Sequence, residues 1–172
     1  SQSGDQDALF EHLDRAVAFA PDDLSLLYFR AMSGQKFDRL EVLERDLRQI
    51  IVLDPSNADA MNALGYTLAD QTDRFDEALE LISEALRLKP DEPAFIDSMG
   101  WVLYRLERLD EALVYLERAL DLFPNDEVAA HLGEVLWASG KTRQAKRVWN
   151  ASLVDFPESQ YLKAVLKRFL DR

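Results

Sequence analysis

Residues Asn62–Pro90 read NALGYTLADQTDRFDEALELISEALRLKP, and Ser98–Pro124 read SMGWVLYRLERLDEALVYLERALDLFP. The second stretch restates the first. Each carries a glycine inside a run whose apolar residues recur every three or four positions, which is the period of an amphipathic helix. Glycine lowers helix propensity by about 1 kcal/mol relative to alanine. A glycine repeated at such a cost implies a packing reason, and its recurrence implies a repeating unit.

The prolines set the period. Pro21, Pro55, Pro90, Pro124 and Pro157 are separated by 34, 35, 34 and 33 residues. Each ends a helical run and is followed within two residues by Asp, Asn or Ser, which cap the next helix. Between prolines the apolar spacing is helical throughout, as in Leu40, Leu43, Leu47, Ile50 and Ile51, or Leu109, Leu113, Leu116 and Leu120. Strand alternation is missing. The chain reads as all-α, with one helix pair per interval.

This pattern resembles the tetratricopeptide repeat, a unit of about 34 residues and two helices. One repeat is carried by Met61, Leu64, Gly65, Leu68, Phe75, Ala78, Ile82, Ala85 and Pro90; the next by Ile96, Met99, Gly100, Leu103, Leu109, Ala112, Leu116, Ala119 and Pro124. A further repeat has Leu132, Gly133, Leu136, Ala145, Trp149 and Pro157, with Ser152 replacing the usual alanine. The earliest has Leu27, Ala31, Leu40, Leu43, Leu47, Ile50 and Pro55, departing from the pattern at Ala31 and Leu43. The resemblance implies a right-handed α-solenoid of antiparallel helix pairs, with repeats over 22–57, 58–92, 93–125 and 126–157. Residues 5–21 read as a half-repeat with only its second helix, and 158–172 as a capping helix with one wet face. Ser1–Gly4 read as a linker or remnant, and the opening without Met suggests an excised segment. The half-repeat is expected to leave Leu9, Leu13 and Val17 uncovered, a face for possible self-association.

The glycines fit this scheme. Gly65, Gly100 and Gly133 are expected where the two helices of a pair meet, opposite Ala78, Ala112 and Ala145. Small residues on both sides allow close backbone approach, and the packing offsets the propensity loss. Trp149 matches the interior aromatic position and is expected in the core.

Composition narrows the function. With 172 residues, 48% hydrophobic, the chain can form a substantial core. A net charge of −12 argues against nucleic acid, whose phosphates need clustered cations. Charge is uneven: Lys141–Arg172 hold eight basic and three acidic residues, a net of +5, which leaves −17 for the remainder. Solvated helix faces account for that in the plainest way; the sharper reading is a basic end that docks an acidic partner. The absence of cysteine excludes disulfides, thiolate metal sites and thiol catalysis. No apolar run approaches a membrane span, so membrane contact would need an anchor outside this segment.

Neither a catalytic nor a metal constellation is legible. The two histidines, His12 and His131, lie in different repeats without metal-ligand spacing. Ser98 and Ser139 lack the context of a nucleophile elbow, and no glycine-rich phosphate loop occurs. The chain reads as a non-enzyme without cofactors. In the tetratricopeptide family the first helix of each pair lines a concave face where partners dock. By that resemblance the lining stripe comprises Tyr28, Met32, Gln35 and Lys36; Asn62, Tyr66, Ala69 and Asp70; Asp97, Trp101, Tyr104 and Arg105; and Ala130, Glu134, Trp137 and Ala138, with His131 beside it. Tyr66, Trp101, Tyr104 and Trp137 would form an aromatic band of interface anchors, or else pack between adjacent first helices as partly exposed core. The family's carboxylate clamp is argued against, because Asp97 and Glu134 on this stripe would repel a carboxylate.

The wording of the repeats is more specific than the family pattern. ADAMNALGYTLADQTDRFDEALELISEALRLKPDEPAFIDSMGWVLYRLERLDEALVYLERAL, with HLGEVLWASG, resembles the C-terminal repeats of proteobacterial outer-membrane tetratricopeptide lipoproteins. Among these it is most similar to the lipoprotein partners of periplasmic carboxyl-terminal processing proteases. That implies a periplasmic adaptor whose partners are the protease and its peptidoglycan-hydrolase substrates. Two other readings use the same fold: a pilotin-like or other envelope assembly factor, and a repeat segment of a larger enzyme such as a glycosyltransferase.

Overall fold

A computed structural model describes residues 2–170, with side chains described from Asp5 to Leu170. The described residues form ten helices and no strands: α1 (Gln2–Phe19), α2 (Leu24–Lys36), α3 (Leu40–Leu53), α4 (Ala58–Gln71), α5 (Phe75–Leu88), α6 (Pro93–Arg105), α7 (Leu109–Leu122), α8 (Asp126–Ala138), α9 (Thr142–Asp155) and α10 (Gln160–Leu170). Helix α1 begins at Gln2, so residues 2–4, expected as a linker, are helical; Ser1 lies outside the described residues. Asp23 and Asn125 cap α2 and α8 by accepting backbone N–H bonds, and Pro93 opens α6, where its missing N–H costs nothing. None of the described helices is long and apolar enough to cross a membrane.

The chain divides into two compact units, residues 1–64 and 65–172, with the division inside α4. In the first, α2 and α3 form an antiparallel hairpin around Leu27, Ala31, Leu43, Leu47 and Ile50. Helix α1 packs on α2, and its Phe10, Leu13 and Val17 are buried while Leu9 is half-buried. The face expected to support self-association is therefore covered within the chain. A buried ionic link, absent from the sequence reading, helps hold it there. The Arg30 guanidinium donates twice to Asp46, at 2.6 and 2.8 Å, and once to Asp14 on α1, at 2.7 Å.

In the second unit α6–α7 and α8–α9 are hairpins, α5 packs on α6, α7 packs on α8, and α10 lies against α8 and α9. Ile82, Ala85, Ile96, Val102, Leu116, Ala119 and Leu162 are wholly buried. Trp149 is wholly buried as well, as its position in the repeat implies, and its indole N–H donates to the Ala130 carbonyl at 3.2 Å.

The glycines lie at the helix crossings. A Cβ on Gly65 would stand 2.7 Å from Ile82 and 3.1 Å from the Ala78 carbonyl. One on Gly100 would meet Leu116 at 2.5 Å and the Ala112 carbonyl at 3.3 Å, and one on Gly133 would enter the Trp149 ring. The neighbour is a large side chain one turn beyond the expected alanine, with the alanine backbone alongside for Gly65 and Gly100. Gly100→Ala should thus destabilise the protein by about 1–3 kcal/mol through overpacking. Gly133→Ala should cost more, because an indole cannot yield as a leucine tip can. Chemical denaturation of both variants measures the difference.

Candidate partner-binding groove

In the second unit the first helices α6 and α8, the end of α4, and α10 bring together most of the residues expected on the stripe. Helical spacing accounts for this: Asp97, Trp101, Tyr104 and Arg105 lie one turn apart on α6, as do Glu127, His131 and Glu134 on α8. At the centre His131 Nδ1 donates to the Asp97 carboxylate, at 2.9 and 3.1 Å from its two oxygens. The other ring nitrogen lies 3.5 Å from the Tyr66 hydroxyl, which donates to Glu127 at 3.0 Å. Trp101 stacks on the imidazole with ring centroids 4.2 Å apart, and Tyr104 packs against Trp101 at 5.2 Å. The Tyr104 hydroxyl donates to Glu134 at 3.3 Å, and Glu134 also pairs with Arg168 from α10.

Burial decides what each residue can do. Trp101, expected among the interface anchors, is only 7% exposed, and Asp97, His131 and Glu134 are equally enclosed. Trp101 belongs to the wall between α6 and α8, and its indole N–H has no hydrogen-bond partner among the described residues. Tyr66, Tyr104, Arg105 and Trp137 are half-buried, and Asp70 is exposed. Trp137 is covered by Phe169 of α10 at 5.5 Å and by Lys146. Arg105 donates to the Asp70 carbonyl at 3.2 Å and lies over the Phe75 ring. A cavity of about 420 Å³ opens among Asp70, Trp101, Tyr104, Arg105, Glu107, Glu134 and Arg168.

Tyr28 and Asn62 lie in the first unit. Tyr28 lines a separate cavity of about 640 Å³ with Leu24, Phe29, Met32 and Ile50, whereas the Asn62 side-chain carbonyl is buried without a hydrogen-bond partner among the described residues.

The electrostatics run against the expectation of bare carboxylates. Burial pulls the His131 imidazole toward neutrality, but Asp97, then Glu127 and Glu134, outweigh it and hold the ring above its ordinary range. Glu127 is pushed up by burial, and by Asp97 and Asp126, against His131 and the Tyr66 bond. Burial raises Tyr66 far above the usual phenol, and it raises Tyr104 with help from Glu134. Asp97 and Glu134, expected to repel a carboxylate, are engaged by the His131 ring and by the Arg168 guanidinium respectively. The His–Asp pair has the contacts of a catalytic dyad, but the hydroxyl nearest its free nitrogen is a phenol that resists ionisation. No group of His, Asp or Glu among the described residues is arranged to hold a metal ion.

The sequence reading missed Glu127 and Arg168. Glu127 was accessible in principle, since it stands one turn before His131 on the same face. Arg168 was not, because repeat spacing does not say how a terminal helix leans.

Two tetratricopeptide repeat profiles match residues 43–93 and 103–168, together more than half of the chain. The chain belongs to the tetratricopeptide repeat family. Over 134 residues it is 48% identical to the TPR repeat-containing protein PA4667 of Pseudomonas aeruginosa, covering 78% of this chain but 23% of that protein. The fold is similar to the thermophilic TPR protein TTC0263 of Thermus thermophilus, with a TM-score of 0.79, 23% identity and coverage of 95% and 89% of the two chains. It is also similar to pilF of Pseudomonas aeruginosa, with a TM-score of 0.69, 20% identity and coverage of 99% and 86%. Repeats of this family mediate contacts between proteins.

The proton on His131 is linked to stability. Its folded pKa lies above the unfolded value of about 6.5, so its contribution is complete below that pH and is lost as pH rises through the folded pKa. Asp97→Asn should remove this loss by lowering the His131 midpoint, which an NMR titration of that imidazole reads directly. Thermal unfolding between pH 5 and 9 (about the range His titration spans) should show a decline in the parent chain that is shallower in the variant.

Proposed function

We propose that this chain is a non-catalytic docking segment of a periplasmic adaptor, which holds peptidoglycan hydrolases near a carboxyl-terminal processing protease. The support is the wording of the repeats from Ala58 through Leu120, together with a groove that offers contacts rather than reacting groups. The carboxylates of its buried centre are all engaged: Asp97 is matched by His131, Glu134 by Arg168 and Tyr104, and Glu127 by Tyr66. Contacts for a partner come from the half-open rim, above all Tyr104, Arg105 and Asp70. Binding protease and substrate to one array raises their effective concentration without supplying any bond-making group.

The rim also dictates which substitutions are informative. Trp101→Ala would empty a buried site and cost about 3–5 kcal/mol of stability, so a loss of binding in that variant could not be assigned to the groove. Tyr104→Ala combined with Arg105→Ala removes rim contacts and leaves the Trp101–His131 stack in place. In a proteolysis assay with a peptidoglycan hydrolase as substrate, the full-length parent array should accelerate cleavage by the processing protease. The double variant should weaken the array's partner affinity about tenfold, the scale of an interface anchor, with little change in melting temperature. Full acceleration and unchanged affinity in the double variant would remove the groove from the mechanism. No acceleration by the parent array would remove the adaptor reading itself.

A further inference from the structure

The outer face of α9 differs in sign from the second helices before it. Arg39, Arg74, Arg108 and Lys141 each stand immediately before a second helix. Two residues on come Glu41, Asp76 and Asp110 in α3, α5 and α7, but Arg143 in α9. Arg74 and Arg108 pair with Glu77 and Glu111 three residues on, at 3.2 and 2.7 Å, whereas Lys141 meets Gln144 at that spacing. Arg143, Arg147, Asn150 and Val154 follow one another along a single helical stripe, opposite buried Trp149. All four are exposed, Val154 to 80%. Among the described residues neither Lys141, Arg143 nor Arg147 has a carboxylate partner, and a cavity of about 340 Å³ opens among them. Of the other cations in α9 and α10, Lys146 lies over the Trp137 ring, Lys163 pairs with Glu158 and Arg168 with Glu134.

We infer that the α9 face, through Lys141, Arg143, Arg147 and Val154, is a second docking surface, which takes an acidic helical segment of another protein. Charge selects that occupant. Residues 1–140 carry −17 against +5 for 141–172. An extended polyanion, such as a nucleic acid or an anionic bilayer, reaches past the roughly 8 Å screening length and meets the negative remainder. A compact segment with carboxylates one turn apart meets only the arginines, and an apolar side chain on it can cover Val154. A second copy has a stripe of that kind, Asp110, Val114, Glu117 and Asp121 on α7, yet two copies at −12 each repel one another. The inference stands whether or not the groove binds a protease.

The test uses a fluorescein-labelled helical peptide with glutamate at every fourth position and one leucine, beside its lysine counterpart, in fluorescence polarisation with the whole chain. The acidic peptide should bind and the lysine peptide should not, with affinity falling as salt rises. Arg143→Glu with Arg147→Glu should weaken binding at least about tenfold, as expected for paired interfacial charges. That variant keeps the fold, because acids occupy position 143's counterpart in the three earlier second helices, and circular dichroism checks it. Tyr104→Ala with Arg105→Ala should leave peptide binding unchanged, which separates this surface from the groove. Binding that survives the charge reversal, or no binding at all, overturns the inference. So does cosedimentation with phosphatidylglycerol vesicles that is lost on reversal, which would assign the face to lipid. A dimer in sedimentation velocity that the reversal dissociates would assign it to a second copy.

Discussion

Packed helices lie with their axes about 8–10 Å apart, and the side chains at the crossing set where in that range a pair falls. The second unit depends on closer approach at Gly65, Gly100 and Gly133, where backbone or a large side chain of the partner helix fills the space a Cβ would need. That approach sets where Ile82, Leu116 and Trp149 enter the core, and it fixes the rotation of each first helix about its own axis. The rotation then decides which side chains turn inward beside Ala112 or Ala145 and which turn toward the groove. Asp97, Trp101 and Tyr104 face their partners on α8 because Gly100 holds α6 against α7.

Charged groups are buried in both units, and in each case they join elements that apolar packing alone leaves under-determined. Arg30 links α2 to α3 through Asp46 and to α1 through Asp14. His131 links α8 to α6 through Asp97. Such pairs add little net stability, since desolvation offsets most of the attraction, but breaking one leaves an uncompensated charge. Their effect is directional: a neighbouring helix that slid by one turn would strand a carboxylate. This suits a repeat chain, in which similar apolar stripes could otherwise engage in a shifted register.

The fold was legible because it is encoded by period. The interval between prolines, the glycine–alanine spacing and the caps all recur, so a local reading is checked by the next repeat. Trp149 was placed in the core by its repeat position alone. The groove was less legible, because exposure is not periodic. The offsets that put Trp101 on the stripe are satisfied in the structure, yet its ring turns onto His131 and closes the wall between two helices. The cover over Leu13 and Val17 was missed for a related reason: α1 packs on α2 within the chain, in a unit that the Arg30 link also braces. Non-repeating contacts of this kind, Arg168 on Glu134 included, leave no trace in spacing.

These departures change what the groove can recognise. As a row of free acids and open aromatics it would attract cations along its whole length. With Asp97 bonded to His131, Glu134 paired with Arg168, and Trp137 shielded by Phe169, little of the interior is left open to a partner. What remains for a partner is a short rim where Asp70, Tyr104 and Arg105 offer both signs and one aromatic edge. A rim of mixed sign gains little from long-range attraction and much from register, because a shifted partner sets like charges together. Under the proposed docking role, selectivity rests on geometry at the rim, which the buried pairs help to hold in place.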